Sequence, residues 1–550
     1  MQTKRSFDIW TLIALGMLAL YLVFLVSPLF TLLVKSVVDQ KTGEYSLAYF
    51  VKFFSHKYYY RPIFNSIKVS TAVSFLVVLF ATPLAYLLRM YRIKGRDTIR
   101  MLLLVSCMQA PFIGGYSWIL LLGRNGVITR FLSNTLGVRV PDIYGFPGML
   151  LVFTLSMTPL MFIYLYGAME KIDGALLEAS ELMGFVGIRK VVRIVLPLIL
   201  PTVLAGVLVV FMRVFSDYAT PMLIGEGYRT VPVLIVNEFI GELGGDSGFA
   251  AAISVSVILF ATTIFLLQKY VSSRKSFVMS ALNPVQPKQE TGIKNVLAHL
   301  YVYLFTLLTL FPHIYVVYTA FRKTSGNVLL PGYSLDNFRS AFSRAAVPIR
   351  NTFTLGGIAI VVVVFLAVLL GYITVRKRNV VTSILDVITM FPYLVPGSIV
   401  GIALLLRFNA PPLLLSATAA IMVISYVIRR LPFTVRSSAA IMHQININTE
   451  EAAISLGASN LKSFFQITLP QMLPGVISGA ILSWITIISE VSASVLLYTT
   501  RTQTMTIRIY TDVIRGNYPV AAALSTILYA TTVISLIVFF RVSKTQEVSL

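Results

Sequence analysis

The stretch Glu178-Ala179-Ser180, followed by Gly184, Ile194 and Leu196-Pro197, returns later in the chain as Glu451-Ala452-Ala453, then Gly457, Ile467 and Leu469-Pro470. In both copies Gly follows Glu by six positions and Pro follows Gly by thirteen, and every matched pair lies 273 residues apart. A register held without insertion across the whole element marks an internal duplication. Each copy reads as a short helix with small residues on one face, Ala179 with Ser180 and Ala452 with Ala453, able to sit closely in a groove of another protein. Gly184 and Gly457 then permit a sharp turn, and Pro197 and Pro470 suit the first turn of a new helix. Two ordinary amphipathic helix-turn-helix links would account for either copy alone, but not for their common spacing.

Composition fixes the setting. The 550 residues are 57% hydrophobic and only 12% charged, with mean hydropathy +0.83. Soluble domains carry roughly 25% charged residues, so this chain reads as an integral membrane protein. Its formal charge of +23 does not imply nucleic acid, because the basic residues gather in short loops beside apolar runs. Cys107, the single cysteine, lies in an apolar run and excludes a disulfide framework. His56, His299, His313 and His443 are too scattered for a ligand set, so no metal site is assigned. Lys4-Arg5 before an apolar run imitates a signal peptide, but Ile9 to Val34 is too long for one and lacks a small-residue cleavage site. It reads as a retained first span.

A span needs about 20 apolar residues. Runs of suitable character lie near Ile9–Val34, Ile67–Leu88, Met101–Leu122, Phe146–Met169, Leu198–Phe215 and Ala250–Gln268. A second set lies near Val296–Ala320, Thr352–Val375, Val381–Leu405, Leu413–Ile428, Met472–Val495 and Val520–Phe540. The expectation is an all-α integral membrane fold of twelve transmembrane helices in two homologous six-helix halves, residues 1–275 and 296–550, joined by a polar linker at 276–295 that holds two prolines. Basic residues set the orientation. Arg89 to Arg100 holds five basic residues against one acid, Arg376-Lys377-Arg378 form a second cluster, and the linker and both termini are basic; these sides are expected to be cytoplasmic. The loop Glu226–Phe249, with Glu226, Glu238, Glu242 and Asp246 against Arg229, suits the outer side. Phe321–Arg350 is basic yet falls outside by the same count. Both duplicated loops, 170–197 and 443–470, fall on the cytoplasmic side.

The duplicated pattern resembles the loop by which permease subunits of bacterial ABC importers dock onto their ATPase, a signature of Glu-Ala-Ala, three residues, Gly, nine residues and Ile-x-Leu-Pro. The second copy matches in full; the first departs at Ser180, where the family prefers Ala. The resemblance implies that Glu178, Ala179, Gly184, Pro197, Glu451, Ala452, Ala453, Gly457 and Pro470 shape the ATPase-docking surfaces. It implies as partners two copies of an ABC ATPase and an extracytoplasmic substrate-binding protein, with membrane lipid around the chain and no nucleic acid. The bacterial cytoplasmic membrane is the expected location. No G-x-x-x-x-G-K-[ST] occurs, and Gly457–Ser463 lacks the second Gly before Lys, so ATP and Mg are expected on the partner and no cofactor on this chain. No catalytic constellation is credible, so no enzyme reading is made.

The same register pairs Asp217 with Glu490, each 20 residues beyond its Pro. A helix begun at those prolines rises about 30 Å, close to the hydrocarbon thickness. Ser216 and Ser489 precede the acids, and such oxygen donors suit a hard cation; an intramembrane carboxylate is a pathway hypothesis by default. The alternative is that each acid caps a broken helix end. Tyr58-Tyr59-Tyr60, Tyr116 and Trp118 fit an aromatic belt better than an iron site, and Pro392 with Pro396-Gly397 interrupts the ninth span.

Beyond the loops, Ser437–Gly457, Ile467–Gly479 and Ser489–Tyr510 resemble ferric-ion importer permeases. Fused permeases for sugar phosphates, aminoethylphosphonate, thiamine or polyamines remain open, as does the different class of ion-coupled secondary transporter, whose repeats would not carry matched docking loops.

Overall fold

A computed structural model describes residues 9–40, 42–107, 111–138, 141–241, 246–274, 283, 285–289, 291–326, 328–393 and 395–543. Lys4-Arg5, Glu242 and linker residues 276–282, 284 and 290, on which some of the expectations rest, lie outside them. Among the described residues the regular elements are helices, apart from a hairpin of Arg322–Ser325 with Val328–Tyr333, which the polar sequence there did not announce. The Asn337 amide ties that hairpin down by donating to the carbonyls of Ala320 and Arg322.

Among the described residues, nine helices are long and apolar enough to cross a membrane, or ten if one bent pair counts as a span. The differences from twelve have local causes. Within the expected third span the described helices are Arg96–Cys107 and Pro111–Leu122. Each has 12 residues and rises about 18 Å, short of the roughly 30 Å core. The expected ninth is Val380–Met390 and Gly397–Phe408, turned through 112°, as Pro392 and Pro396 dictate by removing backbone donors. The expected tenth becomes Ala419–Gln444, a helix of ample length that carries Arg429, Arg430 and Arg436.

The 273-residue register extends well beyond the loops. Phe146–Glu170 and Ala419–Gln444 start one repeat apart, as do the π-turns Val191–Val195 and Phe464–Thr468 and the helices Leu196–Phe215 and Leu469–Ile488. Even the close crossings match. A side chain at Gly206 would strike Met161, and one at Gly479 would strike Ser437 and the Thr434 backbone, positions equivalent to Tyr164 and Met161. Glycine lets the helices approach there.

The described chain forms two compact units. One comprises the segments up to Ser55, Ile235–Ile258 and from Ala320 onward; the other comprises His56–Leu234 and Leu259–Thr319. These units are a different partition from the sequence halves, because each takes its opening helix from the opposite half. Trp10 is buried against Tyr372 and Phe464, with ring centroids 4.5 and 5.1 Å away, and Arg407 donates to Ser27 at 2.6 Å. In the other unit, the Tyr301 hydroxyl donates to the Phe80 carbonyl at 2.9 Å, and Val302 and Phe305 join a core with Leu84, Leu165 and Ile199.

Candidate functional site

Both duplicated loops begin with a capped helix. Asp173 accepts the Ala175 N–H at 2.9 Å to start Gly174–Leu182, and Asn446 accepts the Asn448 N–H at 3.0 Å to start Ile447–Ser455. These caps stand 273 residues apart and satisfy otherwise orphaned helix donors. Glu178 and Ala179 are exposed, as are Glu451 and Ala452, while Ala453 is half-buried. Ser180 is buried, and its hydroxyl donates to the Leu177 carbonyl at 2.7 Å, which is how the departure from Ala is accommodated.

Each helix closes on a left-handed glycine. Gly184 has φ +83° and Gly457 φ +91°, and an added Cβ would meet nothing within 4 Å at either. Glycine is therefore needed for its backbone angle, not for space. The N–H groups of Gly184 and Phe185 donate to Glu181 and Ser180, and those of Gly457 and Ala458 donate to Ile454 and Ala453, a Schellman-like closure in both copies. Immediately before each glycine an apolar side chain stands in the open: Met183 is 76% exposed and Leu456 is 90% exposed. The signature read from sequence passed over these two knobs, although their shared position before Gly could have revealed them.

The prolines act differently from expectation. The helices holding Pro197 and Pro470 do not begin there; each span is already helical from Gly187 or Asn460. The π-turn ending two residues before each proline widens the coil at the place where a proline ring would crowd the preceding turn.

The anchoring beneath the two loops differs. Glu181 pairs with Lys190 and Lys288, each at 2.6 Å, and those hydrogen bonds, Lys190 first, hold its carboxyl below the ordinary value. In the second loop, buried Glu450 takes the position of Leu177, accepts the Tyr372 hydroxyl and faces Arg376 at 3.8 Å; Arg376 also donates to the Ile445 carbonyl at 2.6 Å.

Asp217 and Glu490 belong to different compact units, and each caps a chain break: Asp217 accepts the Thr220 N–H at 2.8 Å, and Glu490 the Ala493 N–H at 3.1 Å. Asp217 is half-buried. Glu490 is buried and clamped between the guanidinium groups of Arg429 and Arg430. That corrects the expectation of an open carboxylate there: two cations already claim its oxygens. The first-half positions equivalent to those arginines are Ser156 and Met157. Ser489 donates to the Ile485 carbonyl at 2.8 Å, while Ser216 is half-buried with its backbone closing the preceding helix. Tyr116 and Trp118 are buried, and Arg229 lies over the Tyr58 ring at 4.7 Å. Among the described residues, no group of three or more His, Cys, Asp or Glu is placed to hold a metal.

Two matched helices with exposed apolar knobs on a multi-pass apolar body fit a permease that receives its driving force from another protein. Comparison with known proteins agrees: the profile of binding-protein-dependent transport system inner membrane components matches residues 17–277 and 346–545, and the chain belongs to that family. It is 28% identical over 550 residues to the ferric transport system permease protein FbpB of Actinobacillus pleuropneumoniae, covering 97% of this chain and 79% of that one. It is 22% identical over 472 residues to the Fe(3+)-transport system permease protein FbpB 2 of Haemophilus influenzae, covering 85% and 87%. The molybdate/tungstate transport system permease protein WtpB of Pyrococcus furiosus is 31% identical over 189 residues, 33% of this chain and 73% of that one. The chain is thus a multi-pass inner-membrane permease of an ABC importer, working with an ATPase and a substrate-binding protein.

Proposed function

We propose that this chain alone supplies both permease halves of a ferric-iron importer, and that its two duplicated loops dock two copies of the ATPase from the cytoplasm. The observation that carries this reading is the docking helix repeated with the same cap, left-handed glycine and exposed knob at Met183 and Leu456. Both termini then lie in the cytoplasm, and the short helix pairs Arg96–Cys107 with Pro111–Leu122 and Val380–Met390 with Gly397–Phe408, together with helix Ala419–Gln444, complete six membrane passages in each half. ATP and Mg bind the partner, and this chain holds no cofactor of its own. Closure of the ATPase dimer draws the loops together and opens the outer side to the binding protein.

Iron as cargo rests on the ferric permeases that align over most of the chain. An oxyanion is the second reading, favoured by the two guanidinium groups that outnumber Glu490 in a buried segment, where a bare multivalent cation is repelled. Asp217 is the carboxylate we retain for the path. The test is uptake by the complete importer in proteoliposomes with radioactive iron and, separately, molybdate. Asp217→Asn keeps an equally good cap, so lost iron uptake by that variant reports the charge. Molybdate uptake without iron uptake assigns the oxyanion instead.

A further inference from the structure

The linker was expected to be a tether, yet its described residues are fastened along their length. The Asn283 carbonyl accepts the Gly174 N–H at 2.8 Å, and its own N–H donates to Asp173 at 3.4 Å. The Val285 carbonyl accepts from the buried Arg89 guanidinium at 2.9 Å, and the Pro287 carbonyl from Arg92 at 3.2 Å. Lys288 pairs with the end of helix Lys57–Met90 like an added strand, its N–H donating to Met90 at 2.8 Å and its carbonyl accepting from Arg92 at 3.0 Å. Its ammonium reaches both oxygens of Glu181 at 2.8 and 2.6 Å. The linker therefore touches the first docking helix near both ends, Asp173-Gly174 and Glu181, while bound to the end of a long spanning helix.

The second docking helix lacks two of the residues that make this arrangement possible. One repeat on from Gly174 and Glu181 stand Ile447 and Ile454, which supply neither the small residue nor the carboxylate. Gly174 leaves little room for change, since an added Cβ would lie 3.2 Å from the Asn283 carbonyl oxygen.

We propose that linker residues Asn283 and Val285 to Lys288 are a positioning element for the first docking loop alone, strapping helix Gly174–Leu182 to the end of helix Lys57–Met90 so that movement of the bound ATPase passes into that spanning helix. This rests on the reading of the loops as ATPase-docking surfaces. The two loops are then unequal: the first is coupled through the strap, the second through Glu450, Tyr372 and Arg376.

The experiment uses the full chain with its ATPase and binding protein in proteoliposomes, measuring copurified ATPase and substrate imported per ATP hydrolysed. Lys288→Glu is expected to retain the ATPase while lowering import per ATP about twofold to fivefold, the scale of one exposed ion pair. Lys288→Arg is expected to restore coupling, and Gly174→Val, which pushes the strap away sterically, to lower it as Lys288→Glu does. Lys294→Glu, a charge reversal at an exposed position beyond the strap and outside both docking loops, is expected to leave it unchanged. Normal coupling in both Lys288→Glu and Gly174→Val overturns the strap, as does an equal loss in Lys294→Glu. Loss of the ATPase from Lys288→Glu alone also overturns it, making Lys288 a docking contact. Absence of ATPase from the unaltered complex would instead defeat the docking assignment.

Discussion

Replacing Gly457 with valine isolates the one property the loop demands of that residue. Nothing lies within 4 Å of an added Cβ, so the first atom of the new side chain meets open space. Its cost is the backbone angle of φ +91°, which disfavours a β-branched side chain. Holding an L-residue in the left-handed region costs about 1–2 kcal/mol. If the loop must keep that shape to bind, the ATPase affinity falls by about fivefold to thirtyfold. Asparagine tolerates the left-handed region far better, so Gly457→Asn should lie close to the unaltered protein. The assay is titration of purified ATPase onto the permease in nanodiscs, with membrane insertion checked by folded yield. Equal affinities for the valine and asparagine variants would refute the backbone argument, and unaltered affinity in a double valine variant at Gly184 and Gly457 would refute the docking role itself.

Two further outcomes follow from the ion pairs. Glu181 is held below its ordinary value of 4.5 by Lys190 and Lys288. A depressed carboxylate stabilises the fold above the unfolded value and loses that contribution as pH falls through its lower folded value; the protection of the Lys288 amide relative to its intrinsic exchange rate should hold at pH 5 and fall only under stronger acid, and a loss of protection between pH 7 and 5 would count against the pairing. Removing the Glu490 charge by Glu490→Gln leaves Arg429 and Arg430 facing each other in a buried site. A broken buried pair costs about 3–5 kcal/mol, so the melting temperature in nanodiscs should drop sharply, and the added change Arg430→Gln should recover part of it; no drop in Glu490→Gln would show the clamp to be incidental.

The two duplicated helices were legible because their signals are local: small residues, then Gly at fixed spacing. Apolar run length also gave most of the spans. What escaped the sequence depends on residues far apart in the chain. Arg429 and Arg430 lie about 60 positions before Glu490, and nothing in the run around Glu490 says that its charge is already taken. The contact of Trp10 with Tyr372 and Phe464 joins residues more than 360 positions apart, so the exchange of opening helices has no local signature. Pro197 and Pro470 misled for another reason: a proline normally marks a helix start, and here a π-turn lets an existing helix continue through it. Arg429 to Arg436 likewise obscured a 26-residue helix by breaking its apolar run.

The central claim is that one chain offers two docking loops to two ATPase subunits, and the mass of the intact detergent-purified complex tests it most directly. The account predicts one copy of this 60.9 kDa chain with two ATPase chains. A complex holding two copies of this chain for two ATPases, or one copy bound to a single ATPase at saturation, would contradict it.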